Sequence, residues 1–144
     1  MSGSRRAGEV GLHYLTTSAR LRRLVDEHMA RNGVSLARTK ILQVLAGSGP
    51  IKQARLAAEL GLAARSITQA VEAMERDGLV RRGSDDTDRR AKVVTVTEAG
   101  ARALADGEAA GDEILRRIFH DLGEDQLERL DELLAVIEVT AESS

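Results

Sequence analysis

The 144-residue chain has no cysteine, no tryptophan and one proline (Pro50), and its only aromatic residues of the Phe/Tyr/Trp kind are Tyr14 and Phe119. Without cysteine, a disulfide framework and a thiol redox sensor are both excluded. Without aromatic bulk, the 42% of residues that are apolar must build their core from Leu, Ile, Val and Ala. No apolar run approaches the ~18 residues of a membrane-spanning helix, and no charged-then-apolar leader opens the sequence, so a cytoplasmic protein with no membrane partner is expected. The length suits one domain with little left over for a second module.

The equipment of catalysis is missing as well. Gly47-Ser48-Gly49 lacks the lysine and the spacing of a phosphate-cradling loop, and no His-Glu-x-x-His run occurs. His13, His28 and His120 are scattered with no metal-ligand spacing. Asp86-Thr87-Asp88 opens like a calcium loop, but Arg90 would fall at its fifth position, Ala91 at its sixth and Thr97 at its twelfth, where the loop needs an oxygen ligand, a glycine and a glutamate. The chain is therefore expected not to be an enzyme and to hold neither a metal nor a cofactor.

The charge of one sign is unevenly spread. The formal net charge of −2 conceals 17 Lys and Arg against 10 Asp and Glu over residues 1–92, a balance of +7, and 4 against 13 over residues 93–144, a balance of −9. A basic front two-thirds is the footprint of phosphate contact, and an acidic end needs a different partner.

The apolar spacing is mostly helical. After a tail expected to be disordered over residues 1–7, Leu12, Leu15, Ala19, Leu24, Val25 and Met29 predict a long helix over 8–31, stopped at Asn32-Gly33. Ser35 is placed to cap a second helix through Ile41, Leu42, Val44 and Leu45, closed by Gly47-Ser48-Gly49-Pro50. A shorter pair follows, Lys52 to Leu60 and Ala64 to Asp77, turned at Gly61. The apolar face of the second of these holds Ile67, Val71 and Met74; its other face holds Arg65, Ser66, Thr68, Gln69 and Glu72, side chains of the kinds that reach base edges and phosphates. Gly78-Leu79-Val80-Arg81-Arg82 and Lys92-Val93-Val94-Thr95-Val96 then read as a two-stranded ribbon around a loop that carries Arg89 and Arg90. Two short helices feeding such a ribbon form a winged helix-turn-helix, whose second helix fits a major groove while the loop reaches a neighbouring minor groove. The expected fold is thus mainly α with a small β-wing: a winged helix-turn-helix over residues 35–97, with long N- and C-terminal helices over 8–34 and 98–144.

Those terminal helices are assigned to dimerisation. Over 98–119 and 124–140, separated at Gly123, the chain carries Ile114, Leu115, Ile118, Phe119, Leu127, Leu130, Leu133, Leu134 and Ile137. This is more aliphatic surface than a small winged domain can cover, and a second copy is the economical cover.

Leu60-Gly61-Leu62, Ser66-Ile67-Thr68-Gln69, Gly78-Leu79-Val80, Asp88-Arg89-Arg90 and Thr97-Glu98-Ala99-Gly100, in this order within roughly residues 10–140, resemble the MarR family of bacterial transcriptional regulators. The resemblance implies a homodimer whose winged helices bind adjacent major grooves of a pseudo-palindromic, inverted-repeat operator in double-stranded DNA, usually as a repressor released by a small-molecule effector. It assigns DNA contact to Arg65, Ser66, Thr68, Gln69, Arg89, Arg90 and Lys92, with Asp88 orienting the Arg90 guanidinium for the minor groove. Effectors in the family sit between dimerisation helices and winged lobe, and His13, Arg20, Arg38 and Thr39 are the candidates here. The chain departs from the family pattern at Ala63, where a serine cap is common, at Ala64, where many members carry Arg, and at Gln69, which replaces a frequent Arg. The rival reading is a winged helix used as a protein-interaction module without direct DNA binding, since fold does not dictate task.

Overall fold

A computed structural model describes residues 2–88 and 90–144, the side chain of Ser2 excepted. Among them the elements run α1 (Ser2–Arg31), α2 (Leu36–Ser48), β1 (Ile51–Lys52), α3 (Gln53–Leu60), α4 (Ala64–Arg76), β2 (Val80–Ser84), β3 (Lys92–Val96), α5 (Glu98–Ile118) and α6 (Glu124–Glu142). The mainly helical architecture with a β-wing is as the sequence predicts.

The disordered tail expected over residues 1–7 is a correction: α1 already begins at Ser2. Arg5, Arg6 and Ala7 are good helix formers, and extending an existing helix gains one hydrogen bond per residue, so Gly3 and Gly8 weaken this end without breaking it. The other end of α1 stops where expected. Gly33 sits at φ +97°, a conformation costly for any residue with a Cβ, and Val34 N–H returns to the Met29 carbonyl at 3.2 Å. Ser35 caps α2 by accepting the Arg38 N–H at 3.2 Å. The helix then runs through Gly47 and ends at Gly49, which takes the positive φ immediately before Pro50.

The sheet has three strands, in the order β1-β3-β2, rather than the two expected. Ile51 pairs with Val94 and Lys52 with Val93 on one side of β3, while Val80 to Ser84 pair antiparallel with Val96 to Lys92 on the other. Two residues are too few for alternation to register in a sequence, and Lys52, read there as helical, is the extended residue just before α3.

The core is aliphatic, as the composition demands. Ile41, Leu42 and Leu45 of α2, Leu56 of α3, Ile67, Val71 and Met74 of α4, and Val80 and Val94 of the sheet are all essentially sealed from solvent. The first part of α5 joins this packing through absent side chains. A Cβ at Gly100 would collide with the Leu79 carbonyl and a Val96 methyl, and one at Gly107 would collide with the Thr39 hydroxyl.

By compactness the chain divides inside α5, into a unit ending at Asp112 and a second spanning Glu113–Ser144. The second unit comprises the end of α5 and α6, with Gly123 N–H donating to Gln126 Oε1 at 3.0 Å where α6 starts. No residue of α6 is buried, and Leu127, Leu133, Val136, Ile137 and Val139 are all exposed.

Candidate nucleic-acid interface

The helix-turn-helix is built from α3, a tight turn and α4. Gly61 ends α3 in the left-handed conformation, φ +65°, and Leu62 N–H bonds back to the Ala57 carbonyl at 3.0 Å. Ala63 stands at the N-cap of α4 and offers no side-chain bond, so the cap that a serine would supply is missing. The buried face of α4 is Ile67, Val71 and Met74. Opposite it, Arg65, Ser66, Gln69 and Glu72 are exposed and Thr68 is half-buried. The outward set read from the sequence therefore lies together on one helix, at the i, i+3, i+4, i+7 spacing of a single face for Arg65, Thr68, Gln69 and Glu72.

Three contacts hold α4 in place, and none was found from the sequence. Gln53, the first residue of α3, donates its side-chain amide to Thr68 Oγ1 at 2.8 Å. Arg38 of α2 pairs with Asp77 at 2.7 Å. Arg82 of β2 gives Glu75 its backbone N–H at 2.9 Å and its guanidinium at 3.0 and 3.2 Å, and reaches Glu72 at 3.6 Å. The Arg82 guanidinium, then its N–H, hold the Glu75 carboxyl below the usual carboxylate range. The two acids three apart on α4, with two arginines early in the next strand, were the available signal for this latch between α4 and the wing.

At the wing tip, Asp85 accepts both the Thr87 N–H at 3.1 Å and the Thr87 hydroxyl at 3.2 Å, and pairs with Lys52 at 3.4 Å. The Thr87 N–H leads in keeping the Asp85 carboxyl below its ordinary range. Asp85 N–H closes the loop on the Ala91 carbonyl at 3.1 Å. Asp88, expected to orient Arg90, accepts the backbone N–H of Arg90 on one carboxylate oxygen at 3.0 Å, a bond that shapes the main chain there. An Asp side chain in a turn commonly accepts the N–H two residues on. Arg90 and Lys92 are exposed; Arg89 lies outside the described residues.

Of the four effector candidates, two lie on α1 and two on α2. His13 and Arg20 are exposed on α1, and Arg38 is engaged by Asp77. Thr39 is buried, donates to the Ser35 carbonyl at 2.8 Å and abuts Gly107, so it is a packing residue whose hydroxyl is already spent on its own helix. A groove of about 340 Å³ beside α2 is lined instead by Arg22, Asp26, Leu36, Ala37, Lys40, Leu60 and Leu62. Among the described residues no group of three His, Cys, Asp or Glu is placed to hold a metal ion, and no helix is long and apolar enough to cross a membrane.

Residues 32–91 match the model of the MarR family. A probable transcriptional regulator from Pseudomonas aeruginosa is 30% identical, with a TM-score of 0.74 over 89% of this chain and 96% of its own. A mutant MarR from E. coli, solved complexed with operator DNA, is 20% identical, with a TM-score of 0.76 over 90% of this chain and 93% of its own. A MarR-like protein from Bacillus cereus, also 20% identical, reaches a TM-score of 0.83 over 94% of this chain and 97% of its own.

Proposed function

The chain belongs to the MarR family of winged-helix transcriptional regulators, and we propose that it acts as a homodimer binding an inverted-repeat DNA operator in the cytoplasm. The observation that carries this reading is the exposed face of α4, Arg65, Ser66, Gln69 and Glu72, latched through Glu75 to the strand that leads into the wing. A rigid rod with polar side chains outward enters a major groove, and an exposed Arg90 suits the negative potential of a narrow minor groove. The E. coli protein of the same fold, seen complexed with operator DNA, supports the assignment by analogy.

A second copy of the chain is the cover that suits the exposed aliphatic residues of α6, which the chain itself leaves in water. Two recognition helices related by a two-fold axis meet half-sites roughly 34–36 Å apart, one turn of B-form DNA. A small ligand that favours a different spacing of the two lobes shifts the population away from the DNA-competent one, which makes a ligand-released repressor. The acidic balance of residues 93–144 keeps that part off phosphate, consistent with separate DNA-facing and partner-facing ends.

The test is a gel-shift against the DNA immediately upstream of the protein's own reading frame, repeated over a salt series. A specific complex that weakens steeply with salt is expected from several basic contacts. Absence of any salt-dependent complex with that DNA or with random duplex would favour the protein-interaction module instead.

A further inference from the structure

Within the outward face of α4, the Thr68 hydroxyl has its proton and one lone pair engaged inside the protein. A threonine hydroxyl has one proton to give and two lone pairs to offer. The Thr68 proton goes to the Ala64 carbonyl at 2.9 Å, one turn back on the same helix, and a lone pair takes the Gln53 amide at 2.8 Å. Both partners belong to the protein, one the α4 backbone and the other α3. The Gln53 amide nitrogen is turned toward this hydroxyl. Gln53 keeps this orientation although its own Oε1 is buried with no hydrogen-bond partner among the described residues. With Oγ1 turned to the i−4 carbonyl, the Cγ2 methyl occupies a different staggered well about 120° around Cβ, away from that bond.

Resting on the DNA-binding reading above, we propose that Thr68 is a specificity-determining residue that reads DNA through its methyl group, as an apolar contact for the C5-methyl of thymine, and that Gln53 is the positioning residue that holds it so. Thymine is the one ordinary base that presents a methyl in the major groove. The sequence places Thr68 among side chains that reach base edges and phosphates; with its proton given to the Ala64 carbonyl, its hydroxyl has none to donate to a base or a phosphate.

The experiment selects tight-binding duplexes from a random pool with the wild-type protein, then replaces each thymine in turn by deoxyuridine, which removes only the C5-methyl. Affinity is read by fluorescence anisotropy. One position per half-site is expected to lose about 4-fold, the effect of one buried methyl. Thr68→Ser, which keeps the hydroxyl and both its bonds, should bind the thymine duplex about as weakly as the wild type binds the uracil one and be indifferent to the replacement. Thr68→Val should retain the thymine preference. Gln53→Leu should reduce the thymine-to-uracil ratio, a readout that general loss of stability does not move. Full uracil sensitivity in Thr68→Ser, or its loss in Thr68→Val, would overturn the methyl contact. An enriched duplex with no thymine dependence overturns that contact alone, whereas a pool that enriches nothing overturns the DNA-binding reading and this proposal with it.

Discussion

Helices α4 and α6 are both amphipathic, yet α4 seals Ile67, Val71 and Met74 completely while α6 seals nothing. The difference does not lie in apolar content, since α6 carries the longer aliphatic series. It lies in cover: α4 meets α2, α3 and the sheet within one core, whereas Leu127, Leu133, Val136, Ile137 and Val139 of α6 are exposed. Apolar residues on a helix are thus sealed where the chain supplies the opposing face and left exposed where it does not.

Ile67→Ala breaks the covered side of this comparison most severely. A cavity at a fully buried site is expected to lower unfolding stability by about 2–5 kcal/mol, measured by denaturant titration. Next is Gly100→Ala, whose new methyl meets the Leu79 carbonyl, a backbone atom that cannot step aside. A loss of about 1–3 kcal/mol is expected, with the overall fold unchanged by circular dichroism. On the uncovered side, a change at Ile137 sharpens the contrast. Ile137→Glu should convert dimer to monomer in sedimentation at micromolar concentration while the helical content persists; a persistent dimer would remove α6 from the interface.

Smaller effects separate reading from anchoring on α4. Arg65→Ala should weaken operator binding by about 1–3 kcal/mol and binding to random duplex by less. Equal losses on both would make Arg65 a phosphate contact. For the latch, the sign follows from Glu75 having its folded-state pKa lowered. Its contribution is fully present above the ordinary carboxylate pKa and disappears as pH falls through the lower folded value, so it is intact at neutral pH. Glu75→Gln should therefore cost stability near neutrality and show no difference from wild type at strongly acidic pH. The smallest effect runs the other way: Ala63→Ser supplies the absent cap and should raise stability by about 1 kcal/mol.

Much of the candidate interface was legible because it is local. Arg65, Ser66, Gln69 and Glu72 share a face by helical period alone, and Gly61 marks its turn by needing a positive φ. The Arg82 latch and the Gln53 amide were not legible, because each joins residues 7 to 15 apart in sequence that approach only after the elements pack. Thr39 shows the same limit from the other direction. On α2 it looks like a polar candidate for a ligand, but the missing side chain of Gly107, 68 positions later, is what seals it.

Residue type and short-range order along the chain were enough for the helices, their turns, the aliphatic character of the core and the family. Tertiary structure alone decided the third strand, the backbone role of Asp88, the commitment of the Thr68 hydroxyl and which apolar faces are covered. Hydrogen bonds and burial depend on where distant segments meet, and a single side chain carries no mark of the neighbour that will later consume its donor or close over its surface.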